Sequence, residues 1–161
     1  MDALLPLATR VGARLKERGE TIAIAESSTG GLISAALLSI GGASAYFRGG
    51  GVIYTHYARN AFLDIPNPLP PPIERASTEP YATLLADTVR VKLDATWGLG
   101  ETGATGPTGN RYGDKPGHTC IAVSGPGFSR VITLETGKDD RIGNMRAFGV
   151  RALELLAEAL G

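Results

Sequence analysis

Cysteine occurs once, at Cys120, and histidine twice, at His56 and His118. A single thiol excludes an internal disulfide, so the core must hold the fold, and so few thiols fit a reducing compartment. Two scattered imidazoles and one thiol offer no metal-ligand spacing. The lysine-bearing phosphate loop and the dinucleotide fingerprint are both absent, and no metal or other cofactor is expected. Charge excess is lacking too: 16 lysines and arginines balance 16 aspartates and glutamates. That balance removes the basic surface through which nucleic acid or an anionic membrane would be held. No apolar run approaches the roughly 18 residues of a membrane span, and the amino terminus lacks a basic-then-apolar secretory pattern. The expected location is the cytoplasm.

What is present suits one globular domain over residues 1–161, with 43% hydrophobic residues, long enough to bury a core without staples. The 22 glycines and 10 prolines gather at 41–51, 66–72, 98–118 and 125–127, between periodic segments, where they mark loops. Apolar spacing predicts helices over 3–18, 29–40, 56–63, 78–93 and 140–160. Strands are expected at 21–25, 50–55, 95–102 (weakly), 119–124 and 129–135, the last two as a hairpin. Pro66 to Pro72 reads as a rigid extended connection. No internal repeat is present. Early alternation of strands and helices followed by a hairpin predicts an α/β fold: a three-layer α/β/α sandwich with a mixed, mostly parallel sheet of about five strands.

Three stretches carry polar chemistry. Glu26-Ser27-Ser28-Thr29-Gly30-Gly31 follows the buried strand and opens a helix, a geometry that aims backbone N–H groups at a phosphate or carboxylate. Glu26 itself reads equally as a group orienting catalysis or as a cap on that turn. Thr102-Gly103-Ala104-Thr105-Gly106-Pro107 presents hydroxyls and amides at another strand end, with Lys115 on a stiff turn nearby. Gly42-Ala43-Ser44-Ala45-Tyr46-Phe47 precedes Tyr54, His56 and Arg59, but Ser44 lies in no nucleophile elbow and by pattern alone is a cap or turn residue. Trp97 reads as core, Cys120 as a small buried hydrophobe, and Asp139 and Asp140 as the acidic start of the last helix.

In order and spacing, these motifs with Gly51-Val52-Ile53-Tyr54 and Lys115-Pro116-Gly117 resemble the CinA carboxyl-terminal domain, the nicotinamide-mononucleotide deamidase family, over nearly the whole chain. The resemblance is to the stand-alone form, without the amino-terminal domain of longer CinA proteins. It implies hydrolysis of the nicotinamide carboxamide to nicotinic acid mononucleotide and ammonia in pyridine-nucleotide salvage, a mixed α/β/α fold and a homodimer. By motif position Ser44 would be the nucleophile and Tyr54 its proton relay. Backbone amides of 26–31 or 102–107 would hold the oxyanion. The phosphate would lie against the helix starting near Thr29, assisted by Arg59, Lys115, Arg141 or Arg146. Three departures stand out. Ser28 replaces a cysteine, Arg59 replaces the lysine expected five residues after Tyr54, and Asn110-Arg111-Tyr112-Gly113-Asp114 replaces a glycine-rich acidic loop. Arginine stays protonated and cannot accept a proton from Ser44, so His56 is the substitute base. Two alternatives stay open: a nucleotide-binding module with impaired catalysis, or a hydrolase of another nucleotide amide.

Overall fold

The computed structural model describes all 161 residues. Five strands form one sheet in the order β2-β1-β3-β4-β5. They are β1 (Ile22–Glu26), β2 (Phe47–Val52), β3 (Trp97–Ala104), β4 (His118–Gly125) and β5 (Phe128–Glu135). β1 pairs in parallel with both β2 and β3, whereas β3–β4 and β4–β5 are antiparallel. The sheet is mixed and five-stranded, as the alternation predicts. Its parallel part is the half that the long crossovers demand, and its antiparallel part is the half that short turns permit.

Five α-helices cover both faces: α1 (Leu5–Arg18), α2 (Leu32–Leu38), α3 (His56–Leu63), α4 (Glu79–Lys92) and α5 (Arg141–Leu160). Side chains of β1 alternate between the two layers. Ile22 and Ile24 join the larger core with residues of α1, α2 and α5, such as Leu15, Leu37, Leu153 and Leu156. Ala23 and Ala25 face the opposite side, against Leu63, Tyr81 and Leu85 of α3 and α4. The small residues on that side have a purpose. A Cβ on Gly98 or Gly100 of β3 would run into the backbone carbonyls of Ala86 and Ala82, so α4 lies directly on the strand because only glycine lets it. Trp97 and Cys120 are buried, as expected of core residues, and burial pushes the Cys120 thiol up to about 11.

Two boundaries differ most from the periodicity, beside shifts of one or two residues elsewhere. The second helix begins at Leu32 rather than 29, because Thr29 to Gly31 form a turn in which Gly30 and Gly31 take positive φ of 66° and 100°. The second strand starts at Phe47 and ends at Val52 instead of spanning 50–55, since Ile22 pairs with Phe47 and draws the earlier residues into the ladder. No helix is long and apolar enough to cross a membrane.

Candidate functional site

In an open α/β sheet of order 2-1-3-4-5 the chain leaves β1 toward opposite sides, and ligands gather outside the carboxyl ends of the strands at that switch point. Here the switch lies between β1 and β3, and two carboxylates fill it. Glu26, at the end of β1, and Glu101, in β3, are both fully buried. Glu26 accepts hydrogen bonds from the backbone N–H groups of Gly31 (3.0 Å), Ile33 (3.1 Å) and Ser34 (2.9 Å). The hydroxyls of Thr29 (2.7 Å) and Ser34 (2.6 Å) also donate to it. Glu101 accepts from the N–H groups of Ser27 and Thr29, both at 3.0 Å, and from the Thr119 hydroxyl at 2.8 Å. The Ser28 hydroxyl makes a further, short bond to Glu101.

This arrangement corrects the sequence reading of the first turn. The donors that would hold a phosphate against the start of α2 already hold Glu26 and Glu101, so Ser28, Thr29 and Gly31 form an internal anion nest rather than a ligand site, and the Gly30 N–H closes the turn onto the Ser27 carbonyl at 3.1 Å. Of the two readings of Glu26, the cap is the one the hydrogen bonds describe. Serine at position 28 keeps a hydroxyl on the buried carboxylate. Glu101 escaped the sequence reading, although a lone acid within an apolar, glycine- and threonine-rich strand was its signal.

The open cleft lies beside this nest, on the α3–α4 face, with a volume of about 430 Å³. It is lined by residues following β1 (Ser27), following β2 (Tyr54, Thr55, His56, Arg59), ending β3 (Thr102, Gly103), and in the 76–77 and 110–112 segments. Thr55 caps α3 by accepting a hydrogen bond from the Ala58 N–H at 3.2 Å, and so turns Tyr54 and His56 to the cleft mouth. Tyr54 is 61% exposed, while Arg59 is only 6% exposed. One Arg59 Nη2 donates to the Pro66 carbonyl (3.1 Å) and to Asn67 Oδ1 (2.8 Å), which is the structural use of the proline-rich connection. Its Nε is buried without a partner.

The cleft therefore unites Ser27, Tyr54, His56, Arg59, Thr102 and Gly103 from distant stretches of chain. It does not receive Ser44. That serine is exposed on a short 3-10 turn before β2 (Ala43–Ala45), whereas Tyr54 follows β2. The six-residue strand between them spans roughly 20 Å at about 3.3 Å per residue. Within one chain, Ser44 and Tyr54 cannot exchange a proton.

Lys115 lies outside the cleft, in a separate polar basin with Asp114, Glu135, Lys138, Asp139 and Asp140. Arg141 is also elsewhere; its Nη1 donates to the Gly106 carbonyl at 2.6 Å. The buried Asn144 supports the same turn, donating from Nδ2 to the carbonyls of Thr105 and Lys138, both at 2.8 Å. Thr105 and Gly106 are thus scaffold, held by α5. Arg146 is exposed on that helix, and Asp140 is its N-cap, accepting from the Gly143 N–H at 3.1 Å.

The far wall of the cleft is fastened by His118. Its Nδ1 meets the Glu135 carboxylate, its Nε2 lies 3.0 Å from the Ser77 carbonyl, and Asp114 stands 3.9 Å away. Both ring nitrogens face acceptors, which selects the doubly protonated ring. Burial pulls the His118 pKa down, but the bonds to Glu135 and Ser77, with Asp114 nearby, outweigh it and leave the value raised. Ser77 holds φ +58°, its N–H donating to Thr102 Oγ1 at 3.2 Å, so both of its backbone polar groups are pinned. Nothing in the pattern of single residues marked Ser77, Tyr81 or Tyr112 as cleft walls.

Comparison with known proteins agrees with the fold. The model of the CinA C-terminal domain matches residues 4–160. A CinA-like protein of Anaeromyxobacter sp. (strain Fw109-5) is 41% identical over 160 residues, covering 99% of this chain and 38% of that protein. A putative competence-damage inducible protein of Geobacillus kaustophilus is 45% identical over 118 residues, covering 73% of this chain and 28% of its own length. The chain thus spans well under half of the curated relatives it matches. Among solved structures, the competence/damage inducible protein CihA from Agrobacterium tumefaciens superposes with a TM-score of 0.88 at 27% identity, covering 98% of this chain and 95% of that one. A CinA superfamily protein from Klebsiella pneumoniae shares the fold, with a TM-score of 0.89 at 23% identity, covering 98% and 97% of the two chains. With the same five-stranded mixed sheet and a family match over nearly every residue, this chain belongs to the CinA C-terminal domain family.

Proposed function

We propose that the protein hydrolyses the carboxamide of nicotinamide mononucleotide, giving nicotinic acid mononucleotide and ammonia. The observation that carries this reading is the convergence of Tyr54, His56, Arg59, Thr102 and Gly103 on one cleft at the carboxyl edge of the parallel strands. All but His56, the substitute for the missing lysine, stand at positions that the family resemblance nominates from two distant segments. In this mechanism a serine hydroxyl adds to the amide carbon, ammonia leaves, and water hydrolyses the resulting acyl-enzyme. Arg59 cannot be the base, since a guanidinium keeps its proton, and backbone amides at the strand ends are left to favour the oxyanion. His56, the only imidazole lining the cleft, takes the proton-accepting role, with Tyr54 at the mouth as relay.

Ser44 supplies the nucleophile only from a second copy of the chain, because its own β2 separates it from its own cleft. The homodimer that the resemblance implies meets this need. The test is incubation with nicotinamide mononucleotide, with the acid product followed by mass spectrometry. Wild type is expected to form product, and Ser44→Ala and Tyr54→Phe to lose about 100-fold or more of the rate while staying folded, since both residues are exposed. A mixture of the two variants should recover activity through hybrid dimers carrying one intact site. Full activity in Ser44→Ala would remove the nucleophile assignment.

One observation favours a second reading, a nucleotide-binding module without turnover: Arg59 stands in the lysine place and is tied to Pro66 and Asn67. It predicts ligand stabilisation with no ammonia released, and a gain of turnover in Arg59→Lys.

A further inference from the structure

None of the fourteen residues that line the cleft is an aspartate or glutamate, yet they include Arg59, Arg111 and His56. None of these three makes an ion pair with any carboxylate of the chain. Arg59 is the decisive case. It is 94% buried by its 6% exposure, its Nη2 meets only neutral acceptors, and its Nε has no partner. A buried guanidinium without a counter-charge is costly, and a fold that retains one beside an open cleft is built for an anion to arrive.

Arg111 is held ready at the rim. The side chain of Asn110 accepts from the N–H groups of Tyr112 (3.0 Å) and Asp114 (3.1 Å), closing a tight turn with Arg111 inside it. Asp114 anchors that turn to Arg75 through two bonds of 2.6 and 3.1 Å. The Asp114 charge is thereby engaged by Arg75 and Asn110, with His118 3.9 Å away, and Asp114 does not line the cleft. Arg111 packs over the Tyr112 ring at 5.0 Å and donates only to its hydroxyl, at 2.9 Å.

From these observations we infer that the cleft is a phosphomonoester site, with Arg59 as its buried floor and Arg111 as its rim clamp. Two guanidinium groups match the double negative charge and paired oxygens of a phosphomonoester better than they match a single carboxylate. The assignment moves the phosphate from the start of α2, where Glu26 and Glu101 have taken its place, to the α3–α4 side of the sheet edge. It deepens the deamidase reading by stating which end of the substrate the cationic side holds, and it rests on that reading only for the identity of the molecule that carries the phosphate.

The experiment measures thermal shift and titration calorimetry of the full chain with inorganic phosphate, nicotinamide mononucleotide and nicotinamide riboside, which lacks the phosphate. Phosphate and the mononucleotide are expected to raise the melting temperature, and the riboside to bind at least tenfold more weakly than the mononucleotide. Arg111→Ala, an exposed change that leaves the fold intact, should weaken the mononucleotide by about tenfold, the loss of one charge-assisted bond. Arg111→Glu should weaken it further, and added salt should weaken wild type more than either variant. Arg59→Met should abolish the phosphate shift; should that variant not fold, the two Arg111 variants decide. Equal binding of riboside and mononucleotide, or unchanged affinity in Arg111→Glu, overturns the inference. Phosphate-dependent binding without acid product overturns the reaction proposed above and leaves this site standing.

Discussion

Two polar regions share the same sheet edge and are opposites. The nest between β1 and β3 holds two fully buried acids, Glu26 and Glu101, and no base among their partners. The neighbouring cleft holds two arginines and a histidine and no acid. Charge alone does not distinguish scaffold from site; saturation does. Each acid in the nest is surrounded by backbone N–H and hydroxyl donors, so nothing is left for a ligand to offer. The Arg59 guanidinium has no carboxylate paired with it, so an anionic ligand has a charge to balance.

The comparison breaks most visibly if the nest can lose its charge cheaply. Glu101→Ala would leave the N–H groups of Ser27 and Thr29 and the hydroxyl of Ser28 without their acceptor, at about 1–3 kcal/mol for each unmet group. The expected loss is about 3–5 kcal/mol, or a fall of roughly 6–20 °C in melting temperature for a domain of this size. Calorimetry decides it, and a loss below about 1 kcal/mol would mean that the nest is not structural. On the cleft side, removing Arg111 should cost ligand affinity and leave the melting temperature of the free protein unchanged.

His118 sharpens the boundary between the regions, because it fastens the cleft wall with charge. Its pKa is raised on folding, so its stabilising contribution is complete below the unfolded value of about 6.5. That contribution is lost as pH rises through the higher folded value. The stability gap between wild type and His118→Gln should therefore be widest in mild acid and close toward alkaline pH, read from urea melts across that range. A gap independent of pH would show that the ring is held by packing rather than by its charge.

The smallest effect is expected far from both regions. Arg130→Ala, which breaks the surface pair with Glu158 at 2.6 Å, should cost no more than about 1 kcal/mol. A larger loss would show that exposed charges matter in this fold as much as buried ones.

The order and kind of every α-helix and strand were legible in the chain, because apolar periodicity and glycine–proline punctuation are local properties; the short 3-10 turn Ala43–Ala45 was not. The 56–63 helix is found with those bounds, and the stretch expected as a weak strand at 95–102 is β3, a buried central strand. Its glycines looked unfavourable in isolation and proved necessary only once α4 lay across them. The family motifs likewise marked Tyr54, the Arg59 position, Thr102 and Gly103, and the departure at Arg59 pointed to His56; the fold brings all five to one cleft.

What the sequence determined by itself was therefore the elements, the α/β class and the family. Only the tertiary structure decided which polar motif is scaffold and which is site. The glycine-rich turn after β1 has every local mark of a phosphate loop, and it is Glu101, more than seventy positions away, that closes it. Likewise Arg59 lacks a counter-ion only because folding places no acid near it, and Ser44 is parted from Tyr54 only because β2 runs straight between them. Hydrogen-bond saturation and charge compensation depend on neighbours in space, and a linear pattern does not record those.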